Sequence, residues 1–121
     1  MQVYFNLISS LPSLKQLKLT KNDDVIYKMF REKFSDLQIE NLLEETLKND
    51  EAKSKWRLFC EEIKNSVEDY NFATMLRLNS KEDYSENNSI VVPRAQFLAI
   101  EIARNREGHN DSLYNKYSNA S

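Results

Sequence analysis

The stretch VVPRAQFLAIEIARNREG, residues 91–108, decides how the rest of the chain must fold. Pro93 suits the first turn of a helix, where its missing N–H costs nothing, and Gly108 suits the left-handed position that ends one. At about 100° per residue, Ala95, Leu98, Ala99, Ile102 and Ala103 occupy one broad side and Ile100 widens it. Arg94, Glu101 and Asn105 cluster on the opposite narrow side, with Phe97 and Arg104 along its edge. The spacing predicts a helix buried over most of its circumference and exposing one polar strip. The strip has a structural reading, in which Glu101 pairs with Arg104 or bonds Asn105, while Arg104 and Arg106 favour the negative end of the helix dipole. It also has a functional one, because an arginine, a carboxylate, an exposed aromatic and an amide side by side make anchored contacts in protein interfaces.

Working outward, Val3, Tyr4, Leu7 and Ile8 in the opening segment have helical spacing and read as the last turns of a helix whose beginning is absent. Thr20 and Asp23 form a capping-box pattern, with Asn22 as a competing cap, ahead of a helix carrying Ile26, Met29, Phe30, Phe34 and Leu37 on one side. Ser35 and Asp36 can cap a second, short helix with Ile39, Leu42, Leu43 and Leu47. A third starts at Asp50, with Ala52, Trp56, Phe59, Cys60, Ile63, Val67 and Tyr70 tracing a stripe over about five turns. The segment NFATMLRL either extends that helix or alternates as a strand, for which SIVV (89–92) is a partner. Beyond Gly108 the chain is polar and unpatterned, as in a disordered tail. The expected architecture is mainly α: a compact orthogonal helical bundle in one domain, 1–107, with room for one short β-hairpin (about 73–78 with 89–92) and a disordered C-terminal tail, 108–121.

Several function classes are disfavoured. Seventeen basic and nineteen acidic residues leave a net charge of −2, so neither a general attraction to nucleic acid nor a polybasic membrane face is expected. No run approaches the roughly 20 apolar residues that span a bilayer, and nothing near Met1 resembles a secretion signal, so a cytoplasmic protein is expected. Gly108 is the only glycine, which rules out a P-loop or a GxGxxG turn. His109 is the only histidine and Cys60 the only cysteine, which leaves no triad and too few ligands for a zinc site. Cys60 lies on an apolar helix face, as a small buried hydrophobe does. The aromatic residues fall mainly at core-facing positions. No catalytic residue, metal site or cofactor is expected.

Four segments together, VYFNLISS (3–10), LKLTKNDDVIY (17–27), KWRLFCEEIKNSVEDYNFATMLRL (55–78) and VPRAQFLAIEIARNREG (92–108), resemble the family called polysaccharide biosynthesis domain-containing protein 1. The family name suggests carbohydrate synthesis. What the resemblance implies instead is a small helical cytosolic chaperone, with no turnover of its own, dedicated to translation elongation factor 1-alpha. Such a protein meets its nascent client at ribosomes carrying the nascent polypeptide-associated complex and shields the GTP-binding domain until it can fold. Carried over by segment, the partner-binding candidates are Lys18, Thr20, Asp23, Asp24, Arg77, Arg94, Glu101, Arg104, Asn105 and Arg106; Thr20 and Asp23 also have the capping explanation. A monomer is expected, without membrane or direct nucleic-acid contact. The alternatives are an enzyme or accessory factor of polysaccharide biosynthesis, and a ribosome- or nucleic-acid-binding module built on Arg77, Arg94, Arg104 and Arg106.

Overall fold

In the computed structural model, which describes residues 2–117, the first helix, α1, spans Gln2–Ser9 and buries Phe5 and Ile8 one turn apart. Helix α2, Asp23–Lys33, buries Ile26 and Phe30, with Phe34 just beyond its end. Its entry is held by Asp23, whose carboxylate accepts the N–H groups of Leu19 and Thr20, each at 2.7 Å, and the Thr20 hydroxyl at 2.8 Å. That hydroxyl in turn accepts the Asn22 N–H at 2.9 Å.

The second helix expected after Asp36 shrinks to α3, Glu44–Lys48. Residues 39–43 instead run alongside a distant segment: Leu42 donates its N–H to the Leu78 carbonyl and Ser80 donates to that of Glu40, at 2.8 and 2.9 Å. Helical spacing of Ile39 and Leu42 buries both side chains equally well in an extended segment, and the non-local hydrogen bonds decide the backbone.

Helix α4, Asp50–Ile63, is capped by Asn49, whose side chain accepts the Ala52 N–H at 2.8 Å. Trp56, Phe59, Cys60 and Ile63 form its buried stripe. The helix stops two turns short of the expected Tyr70. A 3-10 turn at Lys64–Ser66 follows, Val67 is extended, and Asp69 adopts a left-handed φ of 55°. The carbonyls released there find other donors: Ser66 accepts the Asn22 side chain, and Asp69 accepts the Phe72 N–H.

Strands β1, Ala73–Arg77, and β2, Ser89–Pro93, pair antiparallel with Met75 opposite Val91 and Leu76 opposite Ile90. Their inner face (Thr74, Leu76, Ile90, Val92) is buried. Helix α5, Arg94–Arg106, follows Pro93 directly; its first N–H groups are taken by the carbonyls of Phe72 and Tyr70, each at 2.8 Å. Gly108, at φ 83°, ends it, and the His109 N–H closes back on the Arg104 carbonyl.

Every residue from Ala95 to Asn105 is buried, because α2, α4 and both strands surround α5. That corrects the expected fold class. A helix apolar on three sides and polar on the fourth is here covered on all four, and a two-stranded sheet forms part of the covering. The chain is a mixed α/β fold, not an orthogonal helical bundle.

The main core joins these elements. Phe30, Phe34, Trp56 and Phe59 form one aromatic cluster, with Phe34 and Trp56 stacked at 4.1 Å. A smaller core of Phe5, Ile8, Leu14 and Leu113 ties α1 to a last helix, α6, Ser112–Tyr117. The segment after Gly108 is therefore ordered through Tyr117 rather than a disordered tail, since Leu113 and Asn110 are fully buried; positions 118–121 lie outside the described residues.

Candidate partner-binding surface

The ten residues named from the sequence separate into an interior set and a surface set. Glu101 is 1 % exposed, and its two carboxylate oxygens meet Arg77 and Arg104, each at 3.1 Å. Arg104 also donates to the carbonyls of Ile39 (2.8 Å) and Leu78 (2.9 Å), pinning the 39–42 segment to the end of β1. Arg77 donates to the carbonyls of Ser80 and Glu82 and to the Asn110 side chain at 2.9 Å. Asn110 passes the chain of bonds to Asn105, which reaches the Tyr4 hydroxyl at 3.4 Å. The Phe5 ring lies 5.4 Å below the Arg77 guanidinium.

Two guanidinium groups thus share one carboxylate, and backbone carbonyls satisfy most of the remaining donors. Burial by itself would raise the Glu101 carboxyl, but Arg77 and Arg104 outweigh it and hold the group below the usual carboxylate range. Burial, reinforced by the Glu101 charge, pushes the Tyr4 hydroxyl well above its ordinary value.

Arg77, Glu101, Arg104 and Asn105 are therefore not available to a partner, and neither is Asp23, which is buried in the α2 entry. Phe97, expected as an exposed aromatic, is buried against Tyr4. The strip on α5 is real, but from Phe97 to Asn105 it faces the interior, while its first residue, Arg94, is exposed. Local spacing reveals which residues share a side of the helix; it does not reveal that Arg77, 24 positions earlier, comes to meet that side.

The surface set is smaller. Asp24 bridges Arg106 at 2.5 Å and Lys18 at 3.9 Å, which joins three of the candidates. Its carboxyl lies below the usual range through the Arg106 hydrogen bond and the Lys18 charge. Next to them, Arg31 grips Glu107 with two bonds of 2.8 and 2.7 Å, and the Tyr27 hydroxyl donates to the same carboxylate at 2.9 Å. Tyr27, Arg31 and Glu107 were not picked out from the sequence; the only hint is that Tyr27 and Arg31 stand four apart on α2. Thr20 is half-buried. Arg94 is exposed at the opposite end of α5, about 18 Å from Arg106 along the axis. Arg77, Arg94, Arg104 and Arg106 do not form one basic patch.

Other exposed features are apolar. On the outer face of the sheet, Val91 is 51 % and Met75 37 % exposed, Phe72 just ahead of β1 is 62 % exposed, and a groove of about 370 Å³ opens between β2 and α4 beside Val91. Alternation in the strand segments carries the signal for the inner face, and Met75 and Val91 are its complement. Cys60 lies at the groove floor, where burial pushes its thiol up to about 11. Among the described residues, no group of three or more His, Cys, Asp or Glu side chains is placed to hold a metal ion, and no helix is long and apolar enough to cross a membrane.

Comparison with known proteins gives a consistent result. A family profile described as PBDC1 protein matches residues 1–115. The chain is 52% identical over 113 residues to Protein PBDC1 of Homo sapiens and 42% identical over 114 residues to the Protein PBDC1 homolog of Saccharomyces cerevisiae. The human match covers 93% of this chain and 48% of that protein, so the chain spans about half the length of that relative; the yeast match covers 91% and 77%. A solution NMR structure of the Saccharomyces cerevisiae protein yst0336 superposes with a TM-score of 0.84 at 40% identity, covering 94% of this chain and 80% of that one. With a profile match along nearly its whole length and relatives at this level of identity, the chain belongs to the PBDC1 protein family.

Proposed function

We propose that this chain is a non-catalytic, cytoplasmic holding protein for nascent translation elongation factor 1-alpha, engaging it at ribosomes that carry the nascent polypeptide-associated complex. The family resemblance suggests the client. The observation that carries the reading is where the polar chemistry lies. The tightest constellation of titratable groups, Arg77–Glu101–Arg104, is sealed in the core, out of reach of any substrate. The outer sheet face, by contrast, presents large apolar side chains to solvent.

Such a surface suits a partner with exposed apolar segments, which a partly folded chain has and a finished one lacks. Release then follows from differential affinity: as the GTP-binding domain completes, it withdraws the segments that the holding protein grips. The experiment is crosslinking mass spectrometry on ribosome-associated material. Crosslinks to newly made elongation factor support the reading, and recovery without that client removes it. Saturable turnover with activated sugars or a methyl donor would favour the enzyme alternative instead.

A further inference from the structure

The groove between α4 and β2 is shaped and charged in a way that the fold does not require. Trp56, Cys60 and Val92 lie at its base, and Val91 and Pro93 form the bank on the sheet side. On the other side stand Lys53 and Arg57, four residues apart and hence on one face of α4, with Lys48 at the end of α3 nearby. None of the ion pairs among the described residues involves these three cations. Glu61, the one anion lining the groove, is already paired with Lys64 at 3.3 Å. A chain with a net charge of −2 therefore presents a cationic bank here, opposite an apolar one.

The backbone adds a direction. Leu78 donates to the Asn88 carbonyl and Arg94 to that of Phe72, which fixes the alternation of the β1–β2 ladder. In that register Val91 is a non-hydrogen-bonded position, so its N–H and C=O point away from β1, on the free edge of the sheet. A strand edge beside an apolar bank, with cations across the groove, matches strand addition by an extended segment that alternates apolar and acidic side chains.

We propose that this groove binds an extended polypeptide segment in which apolar residues alternate with carboxylates, its backbone bonding to Val91, its apolar side chains lying toward Val91, and its carboxylates facing Lys53 and Arg57. The proposal rests on the holding reading only for which protein supplies the segment.

The test is titration of the intact chain with short synthetic peptides in which valine alternates with glutamate, or with lysine in its place. Emission of Trp56, the sole tryptophan, and the Val91 amide resonance report occupancy. The glutamate peptide is expected to bind on the order of tenfold more tightly than the lysine peptide, with a preference that fades in high salt. The double variant Lys53→Glu/Arg57→Glu, both exposed positions, should reverse the preference, and Val91→Pro should weaken both peptides, since proline is tolerated where the N–H faces away from the ladder. Equal binding of the two peptides, indifference to the charge reversal, or occupation of the groove by a second copy of the chain would overturn the proposal. The functional reading fails separately. If the wild-type chain does not crosslink to nascent elongation factor yet binds the acidic peptide, the groove stands without that client; if the double variant retains the client fully, the client uses another face.

Discussion

Arg77 on β1 and Glu101 on α5 meet at 3.1 Å with both side chains buried, and Arg104 closes the group from the other carboxylate oxygen. Removing the shared carboxylate leaves two guanidinium groups uncompensated in the interior. Glu101→Gln is expected to cost about 3–5 kcal/mol, a large part of the roughly 5–15 kcal/mol that holds a domain of this size. Arg94→Gln, at the exposed start of the same helix, should change stability by less than about 0.5 kcal/mol. Urea denaturation midpoints of the two variants check the contrast.

The same group contributes to the acid limb of stability. Because the folded-state carboxyl of Glu101 is depressed, its contribution is fully present above the ordinary glutamate value of about 4.3 and is lost as pH falls through the lower folded value. On the alkaline side the sign reverses. Burial, with the Glu101 charge behind it, pushes Tyr84 up to about 12, so its contribution is present below about 10 and lost as pH rises toward 12. Denaturation midpoints measured across pH should show a plateau between these limits, and Tyr84→Phe should make the alkaline limb shallower, with Tyr4 supplying the remainder, while leaving the acid limb in place.

Leu113 is fully buried against Phe5, Ile8 and Leu14 in the small core that joins the two ends of the described chain. Leu113→Ala should cost about 2–5 kcal/mol and increase hydrogen exchange in both α1 and α6. A disordered tail would show neither effect.

Cys60 is nearly buried and its thiol sits at about 11, raised by desolvation. At neutral pH almost none of it is thiolate, so a maleimide reagent should label the folded chain slowly and the urea-unfolded chain quickly. A fast native reaction would indicate a much more open groove.

The limits of α5 were readable from the sequence because Pro93 and Gly108 are local signals, and the α4 stripe from Trp56 to Ile63 was readable for the same reason. Three things were not. The polarity of the α5 strip suggested solvent, yet Glu101 is buried through Arg77, a residue from another element. The 39–43 segment had helical spacing, but its backbone is fixed by Leu78 and Ser80, far along the chain. The segment after Gly108 looked unpatterned because a single leucine, Leu113, and a single amide, Asn110, anchor it. The partner candidates Lys18, Asp24 and Arg106 do share a surface; the apolar residues Met75 and Val91 became visible only once the sheet had an inside.

Affinity for the GTP-binding domain of elongation factor 1-alpha in its unfinished and finished states bears most directly on the holding account. The chain should bind the nucleotide-free, partly folded domain on the order of tenfold or more tightly than the GTP-bound domain. Equal affinity for the two states, or binding only to the finished domain, would contradict it.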